Sequence, residues 1–324
     1  MKRRALNLGL GSSLIGGLGF NLSAGAQAGV PRIGVLRWGA SGDDAHVGLG
    51  KALAAAGYRD GQTIMIEWRF ATNRELARRH AAELAGMNLD LIIASATPAA
   101  VALRDATKSV PIVSAGVADP VGAGLVASLA RPGGNITGVS TNLPVMVPKQ
   151  LQMLREVSPS LQRAAFLGST DDPVTKLFVE HAQTSARAVG VTMQVVLISQ
   201  AREYPSALDA MLRDGAQAVV VQPLFAVSDS SPLADLLAHR RLLSVTAQRT
   251  FPLAGGLMSY GFSREEASRR AASFVQRILR GAKPADLPVE EPTTYELALN
   301  LTTAKALELT VPQSVLLRVD ELIA

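Results

Sequence analysis

The chain is 324 residues long, 48% hydrophobic, 18% charged and 4% aromatic, with a formal charge of +5 at pH 7. A chain this apolar and this weakly charged buries enough surface to offset its ordering entropy, which excludes intrinsic disorder. Its basic residues are scattered rather than gathered into the stripe a nucleic-acid binder carries, so nucleic acid is not an expected partner. There is no cysteine, which excludes disulfides, thiolate metal sites and a lipid-modified cysteine.

The N-terminus reads Met1-Lys2-Arg3-Arg4, continues through a glycine-diluted apolar stretch over 5–22, and reaches Ala26-Gln27-Ala28. A basic n-region, an apolar h-region and an A-x-A site together predict a secretory signal peptide cleaved after Ala28. Asn7, Ser12 and Ser13 interrupt the stretch, which argues against a membrane anchor. Arg3-Arg4 leaves both general and twin-arginine export open. Three of the 32 basic residues and none of the 27 acids precede residue 29, so the expected exported form is nearly neutral. Such a protein, with neither anchor nor lipid, belongs in the periplasm of a two-membrane bacterium.

From residue 32 short apolar runs alternate with amphipathic stretches. The pattern predicts a strand over 32–37, a helix over 44–56 stopped by Gly57, a strand over 62–70 and a helix over 74–85. A buried strand over 89–95 leads into a helix over 97–107, with Pro98 in the first turn where proline is favoured. Strands follow over 110–115 and 135–140. This rhythm predicts a mainly parallel sheet with helices on both faces. It then restarts, with helices over 149–157, 174–189, 204–213 and 232–240 and strands over 163–168, 191–198, 217–222 and 242–246. The halves meet near 141–148. A glycine-rich strand over 255–260, a long helix over 264–280, a proline-rich segment over 283–292, a strand over 294–301 and short terminal elements remain. They must return to completed halves, so the chain crosses between them several times, and such crossings make a hinge.

Catalytic and cofactor motifs are missing. His46, His80, His181 and His239 fall in predicted helices without metal-ligand spacing, so no metal site is expected. The segment 122–127 (GAGLVA) matches a dinucleotide fingerprint, but no acid lies between Pro120 and Arg155 to hold a ribose hydroxyl. It reads as a glycine-rich turn and short helix. Asp171-Asp172 before Pro173 reads as a helix cap. No cofactor and no enzymatic activity are expected.

In open α/β sheets ligands bind where loops and helix N-termini converge at the strands' carboxyl ends. The candidate residues there are Trp38, Ser95, Ala96, Thr97, Asp119, Ser169, Gln222, Phe225, Arg249 and Tyr260. Hydroxyls and N–H groups at 95–97 can hold a carboxylate, or Ser95 and Thr97 can merely cap their own helix. Asp119 can pair with an ammonium group or act as a turn residue. Trp38, Phe225 and Tyr260 can stack on a ligand or cover the surface between halves. Arg249 can meet a carboxylate from the opposite half or remain on the surface.

Several stretches are familiar as a set. They include 57–62 (GYRDGQ), 96–100 (ATPAA), 119–138 (DPVGAGLVASLARPGGNITG), 255–261 (GGLMSYG), 280–289 (RGAKPADLPV), 300–306 (NLTTAKA) and 316–320 (LLRVD). With these the chain resembles the extracytoplasmic substrate-binding proteins of ABC transporters, in the family that includes bacterial tryptophan/tyrosine-type binding proteins. The resemblance implies an α/β fold of type I periplasmic binding architecture: two Rossmann-like lobes with mainly parallel sheets, joined by a three-segment hinge. It implies lobe 1 over 29–143 plus 252–284 and lobe 2 over 144–251 plus 285–324. By the family pattern Ser95, Thr97 and Asp119 line the first lobe's side of the cleft, with Tyr260 near the hinge. The chain departs from that pattern at Arg37-Trp38-Gly39, at Ser169-Thr170-Asp171-Asp172 and at Gln222-Pro223-Leu224-Phe225, the ligand-facing loops.

The implied function is a monomeric periplasmic receptor. It closes over a small ligand, an amino acid or another small carboxylate, and delivers it to an ABC permease in the inner membrane. The alternatives are a secreted α/β enzyme of hydrolase type and a sensory module serving a receptor kinase.

Overall fold

The computed structural model describes residues 29–39, 44–228 and 230–324. The expected signal peptide, and the side chain of His46, lie outside the described residues. The first half of the chain alternates β1 (Arg32–Trp38), α1 (Asp44–Ala55), β2 (Met65–Ala71), α2 (Arg74–Ala85), β3 (Leu91–Ser95), α3 (Thr97–Ala106), β4 (Ile112–Val117) and β5 (Ile136–Ser140). Its strands form a five-stranded sheet in the order β2-β1-β3-β4-β5, every pairing parallel.

The second half continues with α4 (Val147–Val157), β6 (Arg163–Ser169), α5 (Thr175–Ala188), β7 (Thr192–Ile198), α6 (Tyr204–Arg213), β8 (Ala218–Val221), α7 (Pro223–Ser228), α8 (Ser231–His239), β9 (Leu243–Thr246) and α9 (Thr250–Leu253). It closes with β10 (Met258–Phe262), α10 (Arg264–Leu279), β11 (Tyr295–Asn300), α11 (Leu301–Ala306), α12 (Gln313–Leu316) and β12 (Glu321–Ile323). The second sheet has seven strands in the order β12-β11-β10-β9-β8-β6-β7, parallel except where β10 meets β11.

Alternation along each strand builds two cores per sheet, because successive side chains point to opposite faces. On β1, Ile33 and Val35 join Leu53, Phe274 and Val275 beneath α1 and α10, while Leu36 and Trp38 join Ala81, Leu84 and Leu103 beneath α2 and α3. On β6, Phe166 packs with Phe178 of α5 and Leu154 of α4, while Ala165 and Leu167 face Leu208, Met211 and Leu233 of α6 and α8. Each lobe is thus a sheet between two helix layers, the doubly wound arrangement that the alternating pattern implied.

The chain passes between the sheets three times, after β5, between β10 and α10, and before β11. Two segments sit differently from expectation. The strand β10 pairs with β9 and β11 in the second sheet rather than with lobe 1. Gly261 permits this close run, because a Cβ there would stand 2.1 Å from the Ala247 carbonyl oxygen. The segment around Glu290 stays with the first sheet, donating from its backbone N–H to the Gly138 carbonyl at 2.9 Å and accepting from Ser140 N–H at 2.9 Å. Backbone pairing, invisible in composition, moves both boundaries. Residues 122–127 form turns with no helix.

Ions fasten the last crossing. Arg270 of α10 donates to Glu266 at 2.6 Å and to Glu290 at 3.1 Å, and Arg277 donates to Glu290 at 3.0 Å. Burial pushes the Glu266 carboxyl up, but the bond and charge of Arg270, with Thr293 and Thr294, outweigh it and hold the group below its usual range.

Candidate ligand-binding cleft

The carboxyl ends of β1, β3 and β4 and the loop after β9 converge on one cavity. The first sheet contributes Arg37, Ser95, Ala96, Ala115 and Gly116 to its wall. Leu49 of α1 and Arg264, Ala267 and Ser268 of α10 close one side, and Gln248 and Phe262 reach in from the second sheet. Arg37 stands opposite Ser95 in the parallel register and is 2% exposed, a guanidinium enclosed at the end of an apolar strand. Arg264, at the first position of α10, donates from Nε to Gln248 Oε1 at 2.9 Å and so ties the helix of one lobe to the loop of the other. The described wall therefore combines two arginines, two serines and an amide with the ring of Phe262.

The backbone at Ala96 is unusual. Its φ of 74° and ψ of 156° lie in a region that glycine occupies almost alone. Ala96 itself lines the cavity just before α3, and no side chain caps that helix. Thr97 is 2% exposed, and its Oγ1 accepts from Ala118 N–H at 3.2 Å, so its hydroxyl ties the first turn of α3 to the loop after β4.

Of the ten candidate residues, Ser95 and Ala96 line the cavity. Asp119 is the acceptor of its own turn, its Oδ1 receiving Val121 N–H at 3.1 Å and Gly122 N–H at 2.8 Å. Trp38 is buried in the cluster between the first sheet and α2–α3, which Leu224 of the second lobe also joins. Phe225 packs edge-on against Tyr204, with ring centroids 5.7 Å apart, in the second lobe's own core. Tyr260 of β10 stacks on Tyr295 of the neighbouring β11, with ring centroids 6.1 Å apart. Arg249 pairs with Glu321 of β12, with Nη2 donating to Oε1 at 2.6 Å, so it serves its own lobe rather than the opposite one.

Ser169 and Gln222 belong to a buried polar network at the carboxyl ends of β6 and β8. Gln222 Oε1 accepts Ser169 N–H at 2.7 Å and lies 3.1 Å from the Thr175 hydroxyl, while Nε2 donates to Asp172 Oδ2 at 2.8 Å. Asp172 Oδ1 accepts Val174 N–H at 3.2 Å, but α5 starts at Thr175 with no side-chain cap, so neither Asp171 nor Asp172 caps it as expected. Burial raises its carboxyl to about 6, against the lowering influence of Val174 N–H, Gln222 and the Arg74 charge.

The lobes also touch at the rim of the cleft. Arg74, the first residue of α2, donates from Nη2 to the Thr170 carbonyl at 2.8 Å and from Nε to the Asp171 carbonyl at 3.0 Å. Sequence reasoning placed Arg37 in a ligand-facing loop without naming it as a candidate, and missed Gln248, Phe262, Arg264 and Arg74. A signal existed for Arg37, because a charged residue ending an otherwise apolar strand sits where open α/β sheets bind ligands.

Residues 35–323 match the model of the family described as ABC transporter substrate binding protein. A tyrosine-binding protein of Clostridioides difficile is 29% identical over 270 residues, covering 82% of this chain and 77% of the relative. A solved structure from Streptococcus pneumoniae, an ABC domain in complex with L-Trp, superposes with a TM-score of 0.82 at 27% identity, covering 90% of this chain and 99% of that one. A ligand-free, open structure of a substrate-binding protein with adhesive properties from Clostridium difficile superposes with a TM-score of 0.64 at 25% identity, covering 91% and 100%. With a two-lobed fold, a cavity at the strands' carboxyl ends and a family match across nearly the whole described chain, the protein belongs to the ABC transporter substrate binding protein family.

Proposed function

We propose that the protein is the receptor of an ABC importer for a small carboxylate, amino acids included, held between the two lobes. The observation that carries this reading is the cavity that Ser95 and Ala96, the two residues before α3, line together with Arg37 and Arg264. Helix starts and guanidinium groups both favour an anionic partner. Phe262 and Leu49 supply an apolar wall for the rest of the ligand. The relatives' own ligands, tyrosine in one and L-Trp in another, are consistent with a carboxylate of this kind.

Ligand contacts from both lobes favour the closed state through differential affinity, and the permease then reads the closed shape. The receptor is exported to the periplasm, cleaved after Ala28, acts as a monomer and releases its ligand chemically unchanged. Among the described residues no helix is long and apolar enough to cross a membrane, and no cluster of metal-ligating side chains occurs.

A thermal-shift screen against amino acids, aromatic acids, small dicarboxylates, sugars and nucleosides tests the reading. A ligand at about 100 times its Kd adds about 2.7 kcal/mol to stability. Stabilisation by a carboxylate, lost in its amide or ester, is the expected result. Stabilisation by sugars or nucleosides alone would overturn it, and turnover of a bound compound would favour the hydrolase reading.

A further inference from the structure

We propose that Arg74 is a closure latch, a positioning residue that holds the two lobes together by gripping two successive backbone carbonyls of the opposite lobe. Its guanidinium reaches the Thr170 and Asp171 carbonyl oxygens at 2.8 and 3.0 Å, and its Nε stands 3.8 Å from the Asp171 carboxylate. Charge-assisted bonds of this kind are among the stronger hydrogen bonds in proteins.

Both sides of the contact are rigidly mounted, which lowers the entropy cost of making it. On lobe 1, Asn73 caps α2 by accepting Leu76 N–H at 2.9 Å, fixing the turn from which Arg74 projects. On lobe 2, Thr170 N–H donates to the Ile198 carbonyl at 2.9 Å, Asp171 N–H donates to Ser169 Oγ at 3.1 Å, and Ser169 is anchored by Gln222. A cation at the first position of a helix opposes the helix dipole. The partner carbonyls, with Asp171 and Asp172 nearby, offset that local cost only when the lobes are together.

The latch is separate from the ligand cavity. Arg74 lies in a groove with Arg78, Pro98, Asp105, Asp171 and Pro173, whereas the cavity wall is built by other residues. Leu224 of the second lobe packs into the lobe 1 cluster that holds Trp38. Closure therefore has three supports: the Arg264–Gln248 bond on the hinge side, the Leu224 contact, and Arg74 at the rim. Arg74 shifts the open–closed equilibrium directly, lobe to lobe, with no ligand required.

The absence of cysteine allows a clean measurement. Spin labels on Ser109→Cys and Gln183→Cys, exposed positions on the two lobes, report the interlobe distance by pulsed electron resonance without added ligand. Arg74→Ala is expected to raise the open-to-closed ratio by about tenfold, the weight of one charge-assisted hydrogen bond. Asp171→Ala keeps both backbone carbonyls and is expected to leave the distribution close to that of the parent. Identical distributions for parent and Arg74→Ala, whether open or closed, would overturn the proposal. Opening by Asp171→Ala equal to that by Arg74→Ala would overturn the assignment to the carbonyls. Neither result depends on which ligand the cavity takes, so the latch and the carboxylate reading fail separately.

Discussion

Gln222 donates its Nε2 proton to Asp172 Oδ2 at 2.8 Å where the two side chains are 0% and 7% exposed, so a carboxylate is held inside the second lobe by an amide rather than by a cation. Burial dominates, and the Asp172 carboxyl is raised from 3.8 to about 6 despite the bonds from Val174 and Gln222 and the charge of Arg74. A folded-state value above the unfolded one means that Asp172 favours folding fully below about pH 3.8, and that this contribution is lost as pH rises through about 6. The Asp172→Asn variant removes the ionisation. Its stability relative to the parent is expected to rise between pH 4 and pH 6.5 by about 2–3 kcal/mol and then level off. Urea unfolding across that range checks it, and a difference that does not change with pH would refute the buried-carboxylate account.

Gln222 also bonds to Ser169 N–H and the Thr175 hydroxyl, so its truncation strands several buried groups at once. Leaving buried polar partners unsatisfied costs about 1–3 kcal/mol each, partly recovered where water enters the space. Gln222→Ala is expected to destabilise by about 3 kcal/mol, seen as a lower urea midpoint at unchanged slope. A loss under 1 kcal/mol would show that the network is solvated rather than structural.

The fold was legible because it rests on periodicity, and the site was less so because it rests on pairing. The helix over 74–85 and the helix over 204–213 match their sequence patterns end to end, since alternation of apolar and polar residues is a local property. The Asn73 cap and Pro98 in the first turn of α3 are local as well. By contrast, nothing near Arg249 in the sequence announces Glu321, 72 positions away, as the partner that draws it off the cleft. Asp119 looked available for an ammonium group because composition does not show that Val121 and Gly122 will turn their N–H groups back onto it. Arg264, which lines the cavity, was read as the first residue of the long helix over 264–280, and Phe262, which also lines it, fell between that helix and the strand over 255–260. Their role depends on β10 joining the second sheet while α10 returns to the first.

The ion pairs at the last crossing are partly exposed, with Arg270 at 28% and Glu290 at 36% side-chain exposure. Their worth is accordingly modest and screened by salt. Arg270→Ala removes the bonds to Glu266 and Glu290 together and is expected to cost about 1 kcal/mol at low ionic strength, with the difference shrinking by half or more in 1 M salt. Urea midpoints of parent and variant at the two salt concentrations measure this. A salt-independent loss would mean that the arginine acts through packing of its aliphatic stem.

Ala96 and Ala100 provide a paired test of backbone strain beside the cavity. Ala96 has φ 74° and ψ 156°, where a Cβ is disfavoured by about 1–3 kcal/mol, whereas Ala100 is buried within α3. Replacing an alanine by glycine loosens the unfolded chain and costs about 0.4–1 kcal/mol where the native conformation suits alanine. At Ala100 that cost adds to the loss of a buried methyl, so Ala100→Gly is expected to lower stability by about 1 kcal/mol or more. At Ala96 the relief of strain exceeds the entropy term, so Ala96→Gly is expected to raise stability by up to about 1 kcal/mol. Opposite signs in parallel thermal melts are the expected outcome. A loss at Ala96 as large as that at Ala100 would show that the turn between Ser95 and Thr97 carries no strain, and that the cavity wall at Ala96 is built at no cost to the fold.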